Sequence, residues 1–82
     1  PFNPSTRIAF NVPSDADGVT LRIYNVSGQV VRTLVDEALE PGPHSVVWDG
    51  RSDTGTPMAS GVYFTRIQAG DETVSRKMTL LK

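Results

Sequence analysis

The sequence predicts an all-β fold, an antiparallel β-sandwich of about six to seven strands, for a chain of 82 residues. Six runs rich in β-branched and aromatic residues alternate with stretches of Gly, Pro, Asn, Asp and Ser at intervals of roughly ten residues, a spacing typical of sandwiches. Apolar and polar residues alternate within the runs, as in strands with one buried face. A chain of this size forms one domain, so residues 1–82 are predicted to be a single unit.

The predicted strands begin and end with the apolar runs. They are residues 7–12, 19–26, 30–35, 44–48, 62–69 and 73–81. In the first, Ile8, Phe10 and Val12 share one face. A turn in which Gly28 is expected to adopt a positive φ pairs the second strand with the third. The apolar pattern shifts near Tyr24, which indicates either a bulge or apolar neighbours on both faces.

Two further features concern the second half of the chain. Residues 36–40 are predicted to be a loop, because the run from Pro41 to Pro43 stops any helical turn there at once. In the last strand Val74, Met78 and Leu80 alternate with polar residues, so they are expected on one face.

The only tryptophan, Trp48, closes the fourth strand. A polar connection from Asp49 to Gly61 then leads into the fifth strand at Val62, so the sequence predicts a hairpin around this tryptophan. A packed Trp side chain hides on the order of 200 Å² of surface. Trp48 is therefore expected to lie between two sheets and to organise the core.

Composition excludes several classes of function. The net charge of −1, with scattered basic residues, lacks the positive footprint of a nucleic-acid binder. The absence of cysteine excludes disulfides, thiolate metal sites and thiol nucleophiles. No apolar run approaches the length of a transmembrane helix, so no membrane insertion is predicted. Because the chain begins at Pro1, it is interpreted as an excised or processed piece of a longer protein.

The loop from Asp49 to Gly55 contains two carboxylates and several hydroxyls that could offer oxygen ligands to calcium. It does not match the EF-hand pattern, which needs ligands at alternate positions and a closing Glu. Acidic residues in Gly-rich loops more often bond to backbone N–H groups and form turns. We therefore predict a structural loop and no metal, with calcium as the alternative.

No catalytic site is predicted. His44 is the only histidine and has no cysteine or carboxylate pair beside it, so it is interpreted as a polar strand residue. The serines and threonines lie outside any nucleophile-elbow spacing, and the glycines form no phosphate-binding loop. The sequence therefore predicts a protein that is not an enzyme and needs no cofactor.

Three of the eight basic residues, Arg76, Lys77 and Lys82, lie on the last strand and tail. Charges on an edge strand commonly protect a sheet against aggregation through its edge. A charged, extended strand is also suited to recognition by a partner. The two interpretations remain open from the residues alone.

Five motifs occur in series along the chain. They are Pro1-Phe2-Asn3-Pro4-Ser5-Thr6, Ile23-Tyr24-Asn25-Val26-Ser27-Gly28, Pro41-Gly42-Pro43-His44 running into Val47-Trp48-Asp49-Gly50, Ser60-Gly61-Val62-Tyr63-Phe64, and the closing Arg76-Lys77-Met78-Thr79-Leu80-Leu81-Lys82. In this order they resemble the type A C-terminal sorting domain of the type IX secretion system, which is closely similar to the Ig-like domain of the flagellar hook-capping protein. The resemblance implies an immunoglobulin- or fibronectin III-like sandwich, in which Gly61 and Tyr63 form a structural Gly-x-Tyr element.

The resemblance also implies a function. A domain of this kind is expected to act as a non-catalytic secretion, sorting and surface-attachment module at the extracellular or outer cell surface of a bacterium. Its partner would be the secretion machinery or a sortase-like peptidase, which would recognise the last strand. The candidate recognition residues are Arg76, Lys77, Leu80, Leu81 and Lys82.

Two alternatives of other classes remain open. The domain could assemble with copies of itself into a filament or oligomer, its first or last strand completing a neighbour's sheet by strand addition. An accessory carbohydrate-binding module is the least favoured, because it needs a row of exposed aromatic residues and Trp48 is required inside.

Overall fold

A computed structural model describes residues 5–13 and 18–81. These residues form six antiparallel strands in two sheets, which confirms the predicted all-β sandwich. The strands are β1 (Thr6–Val12), β2 (Val19–Tyr24), β3 (Val30–Glu37), β4 (Gly42–Trp48), β5 (Gly61–Ala69) and β6 (Glu72–Leu80). No helix in this part of the chain is long and apolar enough to span a membrane. The predicted turn at residues 14–17 and the proline-bearing N-terminal residues 1–4 lie outside the described residues.

The sheets differ in size. One has four strands in the order β3-β2-β5-β6, and the other pairs only β1 with β4. The predicted hairpin of the fourth and fifth strands is therefore wrong, because β4 and β5 belong to different sheets. The segment between them, residues 49–60, therefore crosses from one sheet to the other.

Trp48 lies at the centre of the core with none of its surface exposed, as the sequence predicts. Its ring meets the ring of Tyr63 edge to face, with centroids 5.2 Å apart and planes at 68°. This is a favourable geometry for two aromatic rings. The rest of the buried apolar core consists of Ile8, Phe10, Val12, Val19, Leu21, Ile23, Val31, Val35, Tyr63, Ile67, Ala69 and Leu80.

Tyr63 also fixes the entry into β5. Its hydroxyl donates a hydrogen bond of 2.8 Å to the carbonyl of Ala59, four residues upstream. A tyrosine whose hydroxyl returns to the backbone just before its own strand is the tyrosine corner of immunoglobulin-like sandwiches. The Gly-x-Tyr element predicted to be structural, Gly61 with Tyr63, is found here.

The β2–β3 turn is built around Asn25. Its side-chain oxygen accepts hydrogen bonds from the backbone N–H groups of Ser27 and Gln29, at 2.9 and 3.0 Å. Gly28 adopts a φ of 82°, as predicted, a region that only glycine enters readily. The pairing of β2 with β3 shifts register twice, and the extra residues, Val31 and Leu34, both lie in β3. β2 itself keeps its alternation, and Tyr24 lies on the outer face opposite Phe64, so apolar neighbours on both faces account for the pattern.

Two strands differ from the sequence prediction. β3 runs on through residues predicted to be loop, because Asp36 pairs with Thr20 and Glu37 with Val19. In β6, Met78 is half-buried and Leu80 is buried, but Val74 is 44% exposed. The reason is that the facing sheet has only two strands and does not cover the far end of the β5–β6 hairpin.

We expect Trp48→Ala to lower the free energy of unfolding by about 3–5 kcal/mol, because it removes the largest core side chain and leaves a cavity. Urea denaturation of the 82-residue chain measures this loss. Val47→Ala is the matched control, since Val47 is 55% exposed and should change stability by only about 0.5 kcal/mol. Similar losses for the two variants would contradict the central position of the indole.

Candidate functional site

The segment that follows Trp48 forms a compact loop held by its own backbone. Ser52 N–H donates to the Thr56 carbonyl and Gly55 N–H to the Ser52 carbonyl, both at 2.9 Å. The indole Nε1–H of Trp48 donates to the Arg51 carbonyl at 2.9 Å. The hydrogen bond joins the loop to the core, so the position of the loop depends on the position of the tryptophan.

The same loop covers the edge of β3. Asp53 N–H donates to the Val31 carbonyl at 3.0 Å, and Thr33 N–H donates to Asp53 Oδ1 at 3.0 Å. The Arg32 guanidinium lies 3.5 Å from Asp49 Oδ1 and 3.8 Å from Asp53 Oδ1. Backbone groups of an edge strand that would otherwise be open to another chain are thereby occupied.

The loop is structural in the way predicted from its turn chemistry. Asp49 Oδ1 accepts a hydrogen bond from Arg51 N–H at 3.1 Å, and both carboxylates face the guanidinium of Arg32. Across residues 5–13 and 18–81 no group of three or more His, Asp or Glu residues is placed to hold a metal ion. Arg32 thus lies where it balances the charge of the two acids.

His44 is a half-buried residue of β4. Its ring stacks on Phe10 of β1, with centroids 5.7 Å apart and planes at 19°. Its Nε2 lies 2.6 Å from the carbonyl oxygen of Glu40, which accepts a hydrogen bond from it. These contacts fit the polar strand residue that the sequence predicts.

The predicted recognition residues do not form one surface. Arg76 and Lys77 are exposed on β6, an edge strand, but as consecutive strand residues they face opposite sides of the sheet. Leu80 is only 2% exposed and packs in the core, whereas Leu81 is 72% exposed. Lys82 lies outside the described residues. The role of this set in recognition stays a prediction.

Arg76 and Lys77 also line a small cleft between β6 and β1. The cleft has a volume of about 130 Å³, and its other wall is the stretch Thr6, Arg7, Ile8 and Ala9 of β1. Both strands are edges of their sheets, so the sandwich is open on this side. The edges do not share a ladder of hydrogen bonds.

The outer face of the four-stranded sheet carries residues that the sequence analysis did not combine. Arg22 of β2 lies directly opposite Arg66 of β5, and Tyr24 lies opposite Phe64. On β6, Lys77 is the neighbour of Phe64. Alternation along β2 and β5 could have suggested each residue's face, but the register that brings the two arginines together is not readable from either strand alone.

A comparison with protein-family models identifies the domain. Residues 2–73 match the model described as the FlgD Ig-like domain, which is most of the chain. The chain belongs to the FlgD Ig-like domain family. The immunoglobulin-like fold implied by the resemblance is therefore confirmed.

Individual FlgD proteins agree with this assignment. The chain is 36% identical over 67 residues to the basal-body rod modification protein FlgD of Salmonella typhimurium, and 34% identical over 67 residues to that of Escherichia coli. These matches cover 82% of the chain but only 29% of each relative. A crystal structure of FlgD from P. aeruginosa superposes with a TM-score of 0.65 at 28% identity, covering 94% of this chain and 60% of that one.

The FlgD relatives correct the functional prediction. They are named for modification of the basal-body rod, so the predicted C-terminal secretion and sorting module is wrong. The type IX secretion machinery and the sortase-like peptidase are wrong as predicted partners for the same reason. The predicted location on the extracellular or outer cell surface is also wrong. The flagellar assignment replaces the self-assembling alternative as well. Of the two families in the resemblance, the flagellar hook-capping family is the one supported.

We expect Asp53→Ala to lower the free energy of unfolding by about 1 kcal/mol, because Thr33 N–H loses its acceptor and Arg32 loses one of its two carboxylates. Chemical denaturation measures the change. Asp71→Ala is the matched control: Asp71 is exposed, and among the described residues its carboxylate makes no such contact, so its loss should be close to zero. Equal effects of the two substitutions would show that the loop does not brace β3.

Proposed function

We propose that residues 1–82 act as one non-catalytic Ig-like domain of a FlgD-type protein, which takes part in building or modifying a flagellar basal-body rod. The observation that carries the proposal is the FlgD family match over residues 2–73. The Salmonella and E. coli relatives are named basal-body rod modification proteins, which is why the rod is part of the proposal. Because the chain spans only 29% of those relatives, the activity of the whole protein and its partners come to this chain as a proposal.

The use of the aromatic side chains supports a structural role. Trp48 and Tyr63 pack in the core, and each donates a hydrogen bond to a backbone carbonyl. Both side chains therefore stabilise the domain. The loop after Trp48 and the bulged β3 edge hold each other in place through Arg32.

Exposed residues at the end of the chain are candidates for contact with other proteins of the rod. Arg76, Lys77 and Leu81 are exposed at or near an open edge and are available for contact with a neighbouring subunit. Leu80 contributes indirectly, since its burial fixes the end of the strand against the core.

A domain exchange in Salmonella typhimurium tests the proposed function. The matching 67 residues of its FlgD are replaced by the corresponding part of this chain, and basal bodies are isolated and viewed by electron microscopy. We expect the chimera to give rods like those of the parent strain, because the exchanged domain supplies the same structural element. The control is a Gly/Ser linker of equal length, which should fail.

Two results would contradict the proposal. In the first, the linker version works as well as the chimera, so that the domain has no part in the rod. In the second, the chimera accumulates in folded form, shown by resistance to proteolysis, but the basal bodies match those of a strain that lacks FlgD.

A further inference from the structure

The outer face of the four-stranded sheet combines cations and aromatic rings. We call the set Arg22, Tyr24, Phe64, Arg66 and Lys77 the outer-face patch. Its members occupy two adjacent rows across the sheet, since Arg22 pairs with Arg66, Tyr24 with Phe64, and Phe64 with Lys77. Outward positions alternate along each strand, so these side chains share one side of the sheet.

The two arginines of the patch face each other without compensation. Like charges placed directly opposite on neighbouring strands destabilise a sheet. Within residues 5–13 and 18–81, neither Arg22 nor Arg66 makes an ion pair. Asp49 and Asp53, in the loop beside β3, are paired with Arg32. The sheet thus carries an unfavourable pair whose charges remain free for an external carboxylate.

The adjoining row is apolar and open. Phe64 is 37% exposed, and at the end of the row Val30 and Val26 are 49% and 73% exposed. A groove of about 360 Å³ is lined by Phe64 and Val26, and Arg66 contributes to its wall together with Tyr24. Exposed apolar groups gathered on one face, with polar residues around them, mark a site of association.

We propose that the outer-face patch binds an acidic segment of a partner protein, which places an apolar side chain in the groove beside Phe64 and its carboxylates on Arg66, Arg22 and Lys77. Charge complementarity carries the assignment, because a carboxylate between the two arginines turns their repulsion into attraction to the ligand. The aromatic rings supply the buried contact that an interface needs at its centre.

Other partners fit the patch less well. Anionic membrane surfaces and nucleic acids are bound by larger groups of cations, and the patch has Arg22, Arg66 and Lys77 only. A second copy of the chain could present the acidic groove at the opposite end of the sheet, which is lined by Asp36, Glu37 and Asp71. NMR shifts measured as the chain is concentrated distinguish such a dimer from binding of an acidic partner.

The proposal rests on the proposed function in one respect, namely that a non-catalytic module works by binding. Its test uses the purified chain and a synthetic probe, so a negative result would leave the rod function standing. The probe is a short fluorescein-labelled peptide in which glutamates flank a central leucine. Binding is followed by fluorescence anisotropy and by ¹⁵N chemical-shift mapping of the 82-residue chain.

We expect shifts centred on Tyr24, Phe64 and Arg66, and binding about tenfold weaker in Arg66→Glu. The same substitution should raise the melting temperature, because it puts a carboxylate opposite Arg22 in place of a like charge. Arg7→Glu is the matched control. It makes the same change of net charge on β1, in the other sheet, and should alter neither binding nor the melting temperature to a comparable extent.

Several results would overturn the proposal. They are the absence of binding, equal loss of binding in the two charge-reversal variants, and equal binding of a peptide in which serine replaces the central leucine. Shifts at the patch that appear on concentrating the chain alone would identify a second copy as the occupant. Binding to phosphatidylserine vesicles without binding to the peptide would identify a membrane surface.

Discussion

The indole of Trp48 is the constraint on which the structure depends. The fully buried ring packs against Tyr63 of the opposite sheet, and its N–H reaches the Arg51 carbonyl in the loop beyond β4. That loop in turn occupies the open edge of β3 through Asp53. One side chain therefore couples the space between the sheets to the protection of a sheet edge, and the β4–β5 crossover is held at both ends.

This arrangement decides which surfaces remain available. The β3 edge is covered, whereas β6 and β1 flank an open side of the sandwich. The outer face of the larger sheet has no layer packed on it in the described chain, and it carries Arg22 opposite Arg66 beside exposed Phe64. Real proteins depart from favourable local pairing mainly where a site is needed, which makes this face the place to look for a partner.

Much of the fold could be predicted because alternation reports burial directly. Ile8, Phe10 and Val12 lie on the core side as their period of two requires, and Gly28 takes the positive φ of its turn. The sequence does not specify which strands pair, so the segment after Trp48 predicts a hairpin where the structure has a crossover between sheets. For the same reason the face-to-face arginines and the exposure of Val74, which depend on register and on the width of the second sheet, could not be foreseen. Leu80 looked like a recognition residue beside Arg76, although its alternation with Met78 already pointed to the core.

The most direct test of this account is the hydrogen exchange of the Trp48 indole N–H, followed by NMR in the native protein. A group that is buried and bonded to Arg51 exchanges only when the core opens. We therefore expect its opening free energy to equal the free energy of global unfolding measured with denaturant. Exchange at the rate of a free indole, while the β2 and β5 amides stay protected, would contradict the claim that this side chain holds the two sheets and the loop together.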